Sequence, residues 1–176
     1  PLLASLLGFT VISIDVSAVN IALPDIRTSL HGGMAGLQWV VDGYTLMFAA
    51  LMLSAGALAD RAGARRAYVW GVALFTIASL ACALAPGIGA LIAARVAQGG
   101  AAAVVLPASL SLIRQAYDDP RRRARAIAMW TVGGSVAMAA GPVLGGVLTE
   151  VAGWRAVFLL NLPIGAVILA LLARTA

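Results

Sequence analysis

Six apolar stretches, each long enough to cross a lipid bilayer, constrain the fold of this chain more than any other feature. A helix needs about 20 apolar residues to cross about 30 Å of hydrocarbon. Hydrophobic residues make up 62% of the chain and charged residues 11%. The stretches are apolar all round, which argues against a soluble bundle whose helices carry polar faces. We predict an all-α integral membrane protein with spans at residues 2–23, 37–59, 67–84, 88–113, 126–148 and 156–172.

The arginines predict how these spans are oriented. Nine of the twelve lie at one side of the predicted bundle, whereas only Arg27 and Arg155 lie at the other and Arg95 lies within a span. By the positive-inside rule, the arginine-rich side and both termini are cytoplasmic, as expected for a multi-pass plasma (inner) membrane protein. The net charge of +5 therefore reflects membrane topology, and no nucleic-acid partner is predicted. The nine are Arg61, Arg65, Arg66, Arg114, Arg121, Arg122, Arg123, Arg125 and Arg174.

Cysteine and histidine are too scarce for most site chemistries. The single cysteine, Cys82, lies in an apolar run, so neither a disulfide framework nor a metal site is predicted. An intramembrane serine protease would need a buried histidine beside its nucleophile. The only histidine, His31, lies in the first outer loop. We therefore predict that the chain is not an enzyme.

The turn between the second and third spans combines a carboxylate with glycines and arginines. Asp60 lies at the end of a helix, where its negative charge opposes the helix dipole and calls for a partner. The arginines of the turn or the N-terminus of another helix could supply one. Gly56 and Gly63 permit close approach and a tight turn, which a purely electrostatic anchor would not require. The residues that form this pattern are Gly56, Asp60, Arg61, Gly63, Arg65 and Arg66.

Two charged residues lie inside predicted spans. An arginine within the membrane costs about 3 kcal/mol or more, so Arg95 is a functional candidate. Asp15 lies about eight residues from the outer end of its span, roughly 12 Å at 1.5 Å per residue, and Arg95 lies at a similar depth. They also occupy corresponding positions if the six spans form two inverted three-helix repeats. We expect them to line one cavity and to pair. The alternatives are that Arg95 is structural and extends outward to the membrane surface, and that Asp15 only forms hydrogen bonds inside the bundle.

Further polar residues accompany this pair. Asn20 follows Asp15 in the first span, and Gln98 follows Arg95 by one helical turn. Asp42 lies one turn below Trp39, near the predicted outer mouth, where a role toward substrate or protons is one possibility. The candidate site for proton coupling and for a substrate cavity comprises Asp15, Asn20, Asp42, Arg95 and Gln98.

The fifth span contains a cluster of glycines around a proline. Pro142 removes a backbone donor and favours a kink. Gly141, Gly145 and Gly146 form a smooth face, which ordinary helix packing would also explain. The residues of this segment are Gly134, Gly141, Pro142, Gly145 and Gly146.

These segments resemble signatures of the major facilitator superfamily. Gly56–Arg66 matches its loop pattern, Gly-x-x-x-Asp-Arg/Lys-x-Gly-x-Arg-Arg/Lys, at every specified position. The segment that begins at Arg95 is similar to the fourth-helix signature, in which the arginine is tied to proton coupling. The Gly-Pro-x-x-Gly-Gly order from Gly141 resembles the antiporter signature of drug exporters, and residues 14–24 resemble the first-helix signature of drug:proton antiporters. Residues 153–165 resemble the start of the sixth helix in the fourteen-helix drug:proton antiporters, the branch that the chain resembles most, although Ala156 stands where that branch usually has an aromatic residue.

The resemblance implies that residues 1–176 are the N-terminal six-helix half of a twelve- or fourteen-helix transporter whose C-terminal half is absent. It further implies proton-coupled multidrug efflux by alternating access, driven by the proton gradient without a cofactor. The implied partners are the lipid bilayer, a small drug-like substrate and the C-terminal half. The exclusive use of arginine favours a bacterial source with a GC-rich genome. Uptake of sugars or organic acids, which the fifth-span signature disfavours, and a non-transporting membrane fragment are the alternatives.

Overall fold

Long helices make up this protein. The computed structural model describes residues 2–174, except for the side chain of Asp60. Six candidate spans lie in this described part, the last formed by two consecutive helices, which confirms the predicted all-α membrane bundle. The helices are α1 (Leu2–Leu30), α2 (Met34–Ala62), α3 (Ala64–Ala83), α4 (Ile88–Ala116), α5 (Pro120–Ala152), α6 (Arg155–Leu159) and α7 (Asn161–Arg174).

Most helices extend beyond the predicted spans. Helix α1 does not end at Leu23, as the sequence predicted, but continues through Pro24 to Leu30. A proline removes one helical hydrogen bond, and membrane helices tolerate this loss because local adjustments re-satisfy the freed carbonyl. Helix α5 begins at Pro120, six residues before the predicted span, because the Asp119 carboxylate caps it by accepting a 3.0 Å hydrogen bond from a backbone N–H of its first turn.

The sixth span is interrupted at Leu160, between α6 and α7. Pro163 follows this break and has no N–H to donate to the carbonyl of Leu159, so a continuous helix would lose a hydrogen bond there. The interruption places Asn161 at the first position of α7, inside the bundle.

Helices α1 and α4 occupy the centre of the bundle. The two most extensive helix contacts are α2 with α4 and α5 with α1. If the first three spans correspond to the last three in order, α2 corresponds to α5 and α4 to α1. The two contacts are then equivalent, as expected of two inverted repeats. Helix α1 also contacts α4 directly, so the charged residues of both helices can meet in the bundle interior.

The turn between α2 and α3 consists of one residue, Gly63. Its φ of 89° lies in the left-handed region that glycine adopts without steric cost, as the expected tight turn requires. Arg65 then donates a 2.6 Å hydrogen bond to the carbonyl of Leu172, so this turn and the end of α7 lie at the same end of the bundle. A Cβ added at Gly56 would lie 3.8 Å from Pro107, an ordinary contact, so the described residues do not approach Gly56 closely.

The glycines of α5 pack directly on α1. A Cβ added to Gly145 would lie 2.8 Å from the carbonyl oxygen of Ala18 and 2.9 Å from its Cα. At Gly146 the nearest contact would be Ile21 at 3.9 Å, and Pro142 is exposed. The buried glycines of this interface are Gly134, Gly141 and Gly145.

The substitution Gly145→Ala should therefore destabilise the bundle, even though alanine favours a helix more than glycine does. The new methyl group meets the backbone of α1, which cannot move cheaply, and overpacking of this kind costs about 1–3 kcal/mol. The neighbouring Gly146→Ala, which has space, should be neutral or slightly stabilising. Thermal unfolding in detergent, followed by tryptophan fluorescence, measures both. Equal effects of the two substitutions would contradict the packing described here.

Candidate functional site

An ion pair lies in the interior of the bundle. Nη1 of Arg95 in α4 lies 2.6 Å from Oδ2 of Asp15 in α1, and the two side chains are 2% and 0% exposed. The pairing expected from the sequence is therefore present. Removing two charges from water costs several kcal/mol for each ion, which their attraction offsets only with good geometry and additional hydrogen bonds.

Two amide side chains supply those hydrogen bonds. Oδ1 of Asp15 accepts from Nε2 of Gln98 at 3.2 Å and from Nδ2 of Asn161 at 2.8 Å. Gln98 also accepts a 2.9 Å hydrogen bond from Nη1 of Arg95. The carboxylate thus has three donors from two helices, and we call Asp15, Arg95, Gln98 and Asn161 the buried polar cluster.

Asn161 was not assigned a role from the sequence. Its Nδ2 also lies 2.9 Å from Oγ of Ser79, and that hydroxyl donates to the carbonyl of Phe158 at 2.8 Å. The only sequence signal for Asn161 is an amide within an apolar span, a position at which polar residues are rare and commonly functional. Ser79 has no comparable signal, because a small hydroxyl is ordinary in a membrane helix.

Arg95 is held from its other sides as well. Its Nε donates a 3.1 Å hydrogen bond to the carbonyl of Val40, and its Cζ lies 4.2 Å from the centre of the Tyr44 ring. Such a cation–π contact in a dehydrated site is worth about 2 kcal/mol. The thiol of Cys82 donates to Gln98 across 3.6 Å. A change of charge at Asp15 would therefore be felt in α2, α4 and α7 together.

The remaining two candidates lie apart from this cluster. Asn20 and Asp42 line a groove of about 760 Å³ between α1 and α2, which Arg27 also lines. Nδ2 of Asn20 donates to the carbonyl of Val16 in its own helix at 2.9 Å. The structure brings together Asp15, Arg95 and Gln98, but places Asn20 and Asp42 in this separate groove.

The residues of the turn between α2 and α3 do not belong to the buried polar cluster. Arg61 and Arg66 are exposed. The expectation for Asp60 concerns a side chain outside the described residues. Across residues 2–174, apart from that side chain, no group of three or more His, Cys, Asp or Glu residues could hold a metal ion.

Sequence comparison finds a family and several named proteins that this chain resembles. Residues 5–176 match the family model described as Major Facilitator Superfamily. The chain is 48% identical over 160 residues to the methylenomycin A resistance protein of Bacillus subtilis, covering 91% of this chain and 34% of that protein. It is 48% identical over 168 residues to the multidrug resistance protein Stp of Mycobacterium tuberculosis, covering 96% and 31%. The chain thus spans about a third of the length of these relatives.

Solved structures share the same fold. A bacterial homologue of the human lysosomal transporter Spinster, inward-facing and occupied, superposes with a TM-score of 0.84 at 22% identity, covering 99% of this chain and 43% of that one. A peptide transporter in complex with sulfate gives a TM-score of 0.85 at 18% identity, covering 99% and 37%. At these identities the likeness concerns the fold alone.

Proposed function

Because the chain belongs to the major facilitator superfamily, a family of membrane transporters, we propose that it is the N-terminal half of a proton-driven exporter of drug-like molecules. The observation that carries this proposal is the ion pair of Asp15 and Arg95, buried in the bundle interior. An ionisable pair within a membrane is costly, and such residues mark ion and proton pathways. The resistance and efflux names of relatives support export as the direction of transport.

In this mechanism Asp15 carries the proton. A proton from the outer side binds the carboxylate and removes its negative charge, so that Arg95 loses its ionic partner. Release of that proton to the cytoplasm restores the pair. Each state favours a different packing of α1 against α4, and the N-terminal half rocks against a C-terminal half around a site at the middle of the membrane. The substrate leaves as the proton enters.

The groove between α1 and α2 that Asn20 and Asp42 line is on the outer side by the positive-inside rule, and we call it the outer groove. It serves exchange with the outside. Asn20 and Asp42 lie along it, where a carboxylate and an amide can meet a departing cation or an arriving proton. The arginine-rich end is cytoplasmic by the positive-inside rule, as are both termini. There Asp60 and its neighbouring arginines contact the C-terminal half and hold the cytoplasmic side closed.

Reconstitution tests this function directly. The complete transporter, containing this chain and its C-terminal half, is placed in liposomes with an imposed pH gradient. We expect accumulation of ethidium, a lipophilic cation, that requires the gradient and stops when an uncoupler dissipates it. Accumulation that is indifferent to the gradient, or gradient-driven uptake of glucose or lactate instead, would contradict the proposal.

A further inference from the structure

A chain of hydrogen bonds leads from the Asp15 carboxylate to the break in the sixth span. Nδ2 of Asn161 donates to Oδ1 of Asp15 at 2.8 Å and, with its second hydrogen, to Oγ of Ser79 at 2.9 Å. The Ser79 hydroxyl in turn donates to the carbonyl of Phe158 at 2.8 Å, near the end of α6. All four residues are buried. We call them the amide–hydroxyl chain, and it ties α1, α3 and the two helices of the sixth span together.

The Asn161 amide holds an unused hydrogen-bond acceptor. Its Oδ1 is buried and has no hydrogen-bond partner among the described residues. The orientation of the amide follows from its neighbour, because only Nδ2 can donate to an Asp15 carboxylate that is paired with Arg95. Buried polar atoms are nearly always paired, so an exception calls for an explanation. The unpaired oxygen belongs to a side chain that already contacts the proposed proton carrier.

Protonation of Asp15 creates the need for that acceptor. Because Oδ2 lies 2.6 Å from Nη1 of Arg95, the proton binds Oδ1, whose two amide partners, on Gln98 and Asn161, are both donors. A carboxylic acid donates its own O–H, so one of these amides has to turn. Oε1 of Gln98 already accepts from Arg95 at 2.9 Å and from Cys82 at 3.6 Å, and turning Gln98 would break both hydrogen bonds. Turning Asn161 instead gives its unpaired oxygen a partner.

The other titratable groups around Asp15 do not compete for this role. Helix α4 contributes Arg95, α2 contributes Tyr44 and α3 contributes Cys82. An arginine stays charged in proteins, whereas a tyrosine or a thiol in an apolar interior stays neutral. In the described part of the chain, the buried residues of α5, α6 and α7 include no titratable side chain. Any rearrangement of the Asn161 amide therefore follows the charge of Asp15.

We propose that Asn161 transmits the protonation state of Asp15 to the break between α6 and α7 by turning its side-chain amide. This inference rests on the proposed function, in which Asp15 carries the proton. When Asp15 is protonated, Oδ1 of Asn161 accepts the acid O–H, and Nδ2 leaves Ser79. The Ser79 hydroxyl then turns toward the second lone pair of Oδ1 and releases the carbonyl of Phe158. The bound proton stays on Asp15, and only hydrogen bonds change.

The consequence is a break whose attachment depends on the proton. The last carbonyls of a helix depend on partners from outside it, and α3 supplies one to α6 through Ser79. Pro163 already removes a helical hydrogen bond from the carbonyl of Leu159. Release of Phe158 therefore loosens the joint between α6 and α7 in the protonated state, and loss of the proton tightens it again. Asn161 is a positioning residue in this cycle, since the proton is never bound to it.

Hydrogen–deuterium exchange of the complete transporter in lipid nanodiscs measures how tightly the break is held. Asp15→Asn imitates the protonated state, because its new N–H donates to Oδ1 of Asn161. At one pH, the backbone amides of residues 155–164 should exchange about three- to tenfold faster in Asp15→Asn than in the wild type, as expected for one lost hydrogen bond. The wild type should approach the rate of Asp15→Asn as the pH is lowered. A difference of zero, or one that stays constant with pH, would overturn the proposal.

Double variants separate transmission from a merely structural role. Ser79→Ala removes the hydroxyl that reaches Phe158, so it should raise exchange by itself, and adding Asp15→Asn should raise it no further. The same absence of a response is expected in Asn161→Leu, which replaces the amide with an apolar side chain of similar size. If Asn161→Leu does not fold, Ser79→Ala decides the question, because it removes a single oxygen. A response to Asp15→Asn that persists in Ser79→Ala would refute transmission through Asn161.

Two matched backgrounds should keep the response. Gln98→Leu removes the other amide that donates to Oδ1 of Asp15, and Thr76→Val removes a hydroxyl of α3 that donates to the carbonyl of Val72 in its own helix at 2.8 Å. In both, adding Asp15→Asn should still accelerate exchange about three- to tenfold. Loss of the response in these backgrounds as well would mean that any change near the cluster has the same effect, and would contradict the specific role of Asn161.

Ethidium accumulation in the same preparations distinguishes this inference from the proposed function. The predicted exchange pattern in a protein without proton-driven export would refute the export function and leave transmission by Asn161 intact. Proton-driven export with an exchange response that is the same in all backgrounds would support the function and overturn the inference.

Discussion

Substitution of Asp15 by asparagine should abolish proton-driven accumulation of ethidium in the complete transporter while leaving gradient-free exchange measurable. Asparagine has nearly the shape of aspartate but binds no proton, so the cycle loses its carrier. The surrounding amides can adapt to the change, because Oδ1 of Asn161 has no hydrogen-bond partner among the described residues and could accept a bond from the new amide. Transport into liposomes, with and without a pH gradient, measures both activities.

The control for this experiment is Asp25→Asn. Asp25 is a carboxylate of the same helix, but it is exposed and does not line the outer groove. Its removal should leave both activities at the wild-type level. Proton-driven accumulation that persists in Asp15→Asn would refute the role assigned to Asp15. Loss of exchange together with a large fall in melting temperature would show that asparagine damages the fold, and Asp15→Glu, which retains a proton carrier, would then be expected to recover transport.

The six spans could be predicted because hydrocarbon imposes a length and an apolar composition that the sequence displays directly. The ends of the helices could not be predicted as well. Pro24 was expected to terminate α1, yet α1 continues to Leu30. Local sequence does not show whether a carbonyl that loses its helical hydrogen bond to a proline finds another partner in the folded protein. The break at Leu160 was missed although Pro163, which has no N–H to donate to the carbonyl of Leu159, lies within the predicted sixth span.

The candidate site shows a similar division. Asp15 and Arg95 are conspicuous because charge is costly within a membrane, and their equal depth follows from helix geometry. The partners that complete the cluster depend on packing between distant segments. Asn161 reaches Asp15 because of the α6–α7 break, and Tyr44 reaches Arg95 across the α2–α4 contact. Asn20 and Asp42 were grouped with the pair because they lie near it in sequence or near the outer mouth, and the helix faces on which they lie separate them from it.

Removal of Arg95 should have the largest effect on stability. Arg95→Ala leaves the Asp15 carboxylate buried without its charged partner, and breaking such a pair costs about 3–5 kcal/mol. The lost hydrogen bond to Val40 and the lost contact with Tyr44 add to this cost. The double variant Asp15→Asn/Arg95→Ala removes both charges, so it should be less destabilised than the sum of the two single variants, and thermal unfolding of all three against wild type gives the coupling energy. Strictly additive effects would mean that the pair contributes no mutual stabilisation, whereas a double variant that regains stability without proton-driven transport would separate the role of the pair in folding from its role in coupling.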